Sequence, residues 1–84
     1  MTLSTIPVEK IYDGREIPCS IKHDQILTRA SSLATDDYFV LINGHDPAPL
    51  RDQLATAHPG QFSWDYVQKE ANAVAVRIGR IKAA

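Results

Sequence analysis

Eighty-four residues, nine basic and ten acidic side chains for a formal charge of -1, and a single cysteine set the outer limits. A chain this short makes one domain with a thin core, near the lower size at which a fold stands without a metal or disulfides. The balanced charge excludes the long-range field that gathers nucleic acid or an anionic membrane, and the lone Cys19 excludes an internal disulfide or a dithiol cycle within one chain.

The opening "MTLSTIPVEKIYD" lacks the basic start and uninterrupted apolar region of a secretory signal. No stretch reaches the roughly 18 to 20 apolar residues that span a bilayer. A cytoplasmic, reducing location is the expectation, with a protein partner or a homodimer rather than nucleic acid or membrane.

Taken in chain order, residues 1–5 read as loose chain, with an ordered core over residues 7–81. "PVEKIYD" reads as a short strand, with Val8 and Ile11 or Tyr12 inward. "DGREIP" is a connection, because Gly14 tolerates positive φ and Pro18 resists a ladder. Ser20 reads as the cap of a helix to about Leu33, whose stripe of His23, Ile26, Leu27, Ala30 and Leu33 faces a sheet. Lys22, Gln25 and Arg29 fall largely on the solvated side.

Tyr38–Ile42 is a continuous apolar run suited to a central strand. Asp46 then reads as the cap of a second helix, with Pro47 and Pro49 in its first turn and Leu50, Leu54 and Ala57 as its buried stripe. "HPG" ends that helix. "FSWDYV" alternates Phe62, Trp64 and Tyr66 against Ser63, Asp65 and Gln68, "KEAN" turns the chain, and "AVAVRIGRI" alternates Val74, Val76 and Ile78 against Ala75, Arg77 and Gly79.

The order is β-α-β-α-β-β, an α/β (α+β) two-layer sandwich whose mixed four-stranded sheet carries two helices on one face. On the other face, Tyr12, Tyr38, Trp64 and Tyr66 are candidates for an exposed aromatic surface favouring dimerisation or docking. Arg77, Arg80 and Lys82 read as a modest basic tail, too small for a nucleic-acid surface.

Chemistry concentrates in "NGHDPAPLRD", Asn43–Asp52, just past a strand's carboxyl end, where open α/β folds present ligands. In the bland account Asp46 caps the helix, His45 packs in the turn and Arg51 pairs with a carboxylate; in the functional one His45 and Arg51 bind an anionic or metal-linked ligand. The prolines at 47 and 49 remove donors, which makes the turn a poorer phosphate cradle than a glycine-rich one. If the two parallel strands are neighbours, His23 and His45 come into one neighbourhood. With Asp46 or Asp13 they could then furnish a site for iron, zinc or copper, although no pair has i, i+4 ligand spacing. Cys19, just before the first helix, is either a small buried junction residue or a thiolate activated by the helix and by Arg15, Lys22 or His23.

"IYDGREIP", His23, "NGHDPAPLRDQL" and "GQFSWDYV" followed by "VAVRIGRI" resemble, over residues 8–81, the prokaryotic domain of unknown function 2249 family. The resemblance implies a fold similar to the TusA and SirA sulfur carriers and partners among hemerythrin-like or other redox domains. It also implies characteristic positions at Asp13, Arg15, His23, His45, Asp46, Pro47, Pro49 and Leu50. The carriers place proline after their reactive cysteine, whereas here Pro18 precedes Cys19 and Ser20 follows it. An acidic residue often precedes the histidine of the family's "HDP", where this chain has Gly44. The first expectation is therefore a binding or carrier domain, not necessarily an enzyme, with His23, His45, Asp46, Arg51, Arg15 and Asp13 around its site. Persulfide transfer through Cys19 and a ligand-free homodimer module are the alternatives.

Overall fold

The computed structural model describes residues 6–81, without the Cys19 side chain; the expected loose start at residues 1–5 lies outside them. The chain runs β1 (Ile11–Asp13), α1 (Cys19–Ser31), β2 (Tyr38–Asn43), α2 (Ala48–Ala57), β3 (Phe62–Glu70) and β4 (Ala73–Arg80), after a 3-10 turn at Val8–Lys10. Sheet order is β1-β2-β4-β3, with β1 parallel to β2 and the other pairs antiparallel. Among the described residues no helix is long and apolar enough to cross a membrane.

β2 has a neighbour on each edge and cover on each face, so Phe39, Val40, Leu41 and Ile42 are all buried. Alternation divides them. Phe39 and Leu41 join Ile26 and Ala30 of α1, Leu50 and Leu54 of α2, and Val74, Val76 and Ile78 of β4 in the main core. Val40 and Ile42 face the other way, with Ala75 and Ile6. Both helices therefore lie on one sheet face.

The sheet's outer face is not the aromatic surface expected from the sequence. Tyr12, Trp64 and Tyr66 pack against the helix-side core, and of the four aromatics considered only Tyr38 lies with the outer cluster. Cross-strand pairing explains this, since directly opposed residues share a face: Trp64 lies opposite Ile78 and Tyr66 opposite Val76, both core residues. Tyr38 is flanked by Lys10 and Arg77, 4.7 and 4.4 Å from its ring centroid. Of the expected basic tail, Lys82 lies outside the described residues, and Arg80 is buried and donates to Ser31 O at the end of α1. A cation there complements the helix's negative end.

Several boundaries differ from the expectation. Val8 is 81% exposed in the 3-10 turn, leaving β1 only three residues. Pro18 rather than Ser20 is the N-cap of α1, and Pro47 rather than Asp46 that of α2. Gly14 needs no positive φ. It is needed for space, since a Cβ there would stand 2.6 Å from Lys22 Cδ.

The hairpin between β3 and β4 turns at Ala71 and Asn72, with Asn72 at φ 65°. Asparagine tolerates this left-handed region better than residues with other side chains. Asn72→Ala is expected to lower stability by about 1 kcal/mol and Asn72→Gly to leave it nearly unchanged, as read from urea midpoints.

Candidate functional site

The amino ends of α1 and α2 and the carboxyl end of β2 meet at one edge of the helix layer, as parallel β1 and β2 require. Between them is a cavity of about 400 Å³. α1 contributes Ser20, Lys22, His23 and Ile26; β2 and its following turn contribute Leu41, Asn43, His45 and Pro47; α2 contributes Pro49, Leu50 and Gln53. The volume is that of a small-molecule site.

Asn43 holds this region together. The side chain of this 3% exposed residue accepts from Lys22 Nζ at Oδ1 (2.6 Å) and donates from Nδ2 to His45 O (3.1 Å). Lys22 also donates to Gly14 O at 3.2 Å. The Asn43 amide and the Lys22 ammonium together join α1, the β1 loop and the turn carrying His45. Lys22, expected on the solvated side, folds inward along the space left by Gly14. Gln25 and Arg29 also reach back to the domain, Gln25 accepting from the Tyr12 hydroxyl and Arg29 donating to Glu9 O.

The two histidines expected in one neighbourhood both line the cavity. His45 Nδ1 lies 3.2 Å from Asp46 O, a contact in which Nδ1–H donates; in the neutral ring Nε2 is then the acceptor. The His23 side chain has no hydrogen-bond partner among the described residues and borders a second, shallower groove with Leu27 and Gln53.

The other expected site residues are elsewhere. Asp46 accepts the Tyr66 hydroxyl at 2.6 Å, tying the turn to β3. Asp13 and Arg15 pair with each other at 2.7 Å beside Gly44 and Asn72. Arg51 is on the opposite flank of α2, in a cleft with His58 and Trp64. Among the described residues no three His, Cys, Asp or Glu side chains are grouped to hold a metal. Of the carboxylates expected beside the two histidines, Asp46 accepts from Tyr66 and Asp13 from Arg15.

Lys22, Asn43 and Gln53, which the sequence reading did not place in the binding site, line the cavity among apolar neighbours. Only Asn43 had a signal, as the polar residue closing an apolar strand just before a turn. Residues 11–80 match the family described as "Uncharacterized conserved protein (DUF2249)", and the chain belongs to that family. No curated protein and no solved structure matches the chain.

Two substitutions probe this arrangement. Asn43→Ala leaves buried partners unpaired and is expected to cost about 1 to 3 kcal/mol by denaturant unfolding. Gly14→Ala should displace the flexible Lys22 stem, detected as shifted Lys22 and Asn43 side-chain resonances in a protein that still folds.

Acid stability follows from two surface pairs. Hydrogen bonding from Arg15 holds the Asp13 carboxyl below the usual carboxylate range, and Lys10 does the same for Asp37. Their contribution is fully present above the ordinary carboxylate pKa and is lost as pH falls through the lowered values in the folded state. The urea midpoint is expected to hold from pH 7 to 5 and to fall below about pH 4. Arg15→Ala should weaken that fall.

Proposed function

We propose that this member of the DUF2249 family is a small-ligand binding domain, and that its ligand enters the cavity between the amino ends of α1 and α2. The observation that carries the reading is one concave, largely apolar space walled by three elements, with Lys22, His23, Asn43 and His45 at its polar edge. The volume suits roughly a dozen heavy atoms, taking about 30 Å³ as the share of one water in the liquid. The apolar wall supplies affinity and the polar edge orientation. Binding needs no chemical step, so the domain acts by holding its ligand for a partner, of which a redox protein is one class.

A transition metal is a less favoured occupant. His23 and the Nε2 of His45 are its candidate ligands, and the neighbouring Lys22 ammonium opposes a cation. The sulfur-carrier alternative keeps one specific support: Cys19 is the first residue of α1, directly before Ser20 of the cavity wall. Its test is a gain of about 32 Da, the mass of one sulfur atom, on Cys19 after exposure to a persulfide donor, absent in Cys19→Ser.

The binding proposal is tested by two-dimensional NMR with small aromatic compounds bearing one polar end. Shifts are expected at Ile26, Leu41, Asn43, His45, Leu50 and Gln53, and not around Arg15 or Arg51. Gln53→Trp, at an exposed rim position, should occlude the mouth and weaken binding at least about tenfold, or about 1.4 kcal/mol, with folding unchanged. Shifts that cluster elsewhere, or binding indifferent to Gln53→Trp, would overturn the assignment.

A further inference from the structure

The charges around the cavity go further than its shape. No aspartate or glutamate lines it, and neither α1 nor α2 carries an acidic residue in its first turn. Lys22 supplies the wall's formal positive charge, and the two groups that receive its ammonium are both neutral: the Asn43 amide oxygen and the Gly14 carbonyl. Among the described residues, Lys10, Arg15 and Arg77 each have a carboxylate within 4.0 Å, whereas Lys22 has none. Lys22 is therefore a partly buried cation fixed by a buried amide at the edge of an apolar space, its charge uncompensated.

We infer that the cavity's ligand is a monoanionic amphiphile, an aryl or alkyl carboxylate. Its carboxylate sits against the Lys22 ammonium and its apolar body lies on Ile26, Leu41 and Leu50. An ammonium has three donors, and Asn43 and Gly14 take two, leaving one for the ligand. Ser20 and the histidines add hydrogen-bonding capacity without adding negative charge. A metal cation would be repelled by Lys22. A polyphosphate would want more cations and more backbone donors than a first turn with prolines at 47 and 49 provides. One carboxylate matches one ammonium, and the apolar wall rewards the rest of the molecule by burial.

This inference rests on the cavity being a ligand site, and a matched pair of probes separates the two claims. Naphthalene-1-acetate and the neutral 2-(1-naphthyl)ethanol share an apolar body and differ in the head. By NMR titration at low ionic strength, the acid is expected to bind at least about tenfold more tightly than the alcohol. Lys22→Met keeps most of the stem and removes the charge; it should bring the acid's affinity down to near the alcohol's, with the alcohol's own affinity falling far less. Asn43→Asp places a carboxylate beside Lys22 and should have the same selective effect, with folding of both variants checked by amide dispersion. Equal affinity of acid and alcohol at the cavity residues would overturn the anion inference and leave the cavity reading standing. Failure of both probes to shift the cavity residues at millimolar concentration would overturn both.

Discussion

Everything in this domain is arranged around a strand that must be covered on four sides. β2 presents apolar side chains to both faces, so it requires β1 and β4 along its edges, two helices on one face and the segment carrying Ile6 on the other. Since β1 and β2 are parallel, the link between them crosses the sheet and α1 begins at the end where β2 finishes. α2 also starts there, because it follows β2 after a short turn. The crowding of helix starts at one edge is thus a consequence of covering β2, and the cavity is the space where the coverage is incomplete.

At that edge a single polar residue ends the strand. Asn43 could not be apolar without leaving Lys22 Nζ and the His45 carbonyl to find other partners. A buried amide is tolerable because it makes bonds in both senses, donating and accepting. Its geometric effect is larger than its net energy, for it sets the path of the turn and the position of an ammonium. Gly14 belongs to the same arrangement through the room it leaves for the lysine stem.

The legible part of the structure was local. The period of two in Phe62–Tyr66 and Val74–Ile78, and the unbroken run at Tyr38–Ile42, sufficed for strands, and the helical stripe containing Ile26 and Ala30 sufficed for α1. Which side of the sheet the aromatics occupied depended on the pairing of β3 with β4, a non-local fact, and the outward placement of Trp64 and Tyr66 failed for that reason. Lys22 was misplaced differently: its backbone position is off the apolar stripe, but a long side chain can return to a partner, and that partner exists only once β2 lies beside β1. His23 and His45 line one cavity because β1 and β2 are adjacent and parallel, the condition on which their expected neighbourhood rested. Asp13 and Arg15 found each other two residues apart before any distant ligand could claim them. Asp46 was drawn to Tyr66, twenty residues along the chain, by sheet geometry that spacing does not encode.

The register slip in β3 between Tyr66 and Gln68 has a consequence for how copies of the chain meet one another. β3 is the longest strand and stands at the open end of the sheet, the position from which runaway strand addition would begin. The slip bends it and interrupts its regular row of backbone donors and acceptors, while exposed Asp65, Lys69 and Glu70 place charge along the same strand. A second molecule offered edge to edge therefore meets a crooked, charged border instead of a straight template, while the aromatic side chains of β3 pack toward the helix-side core.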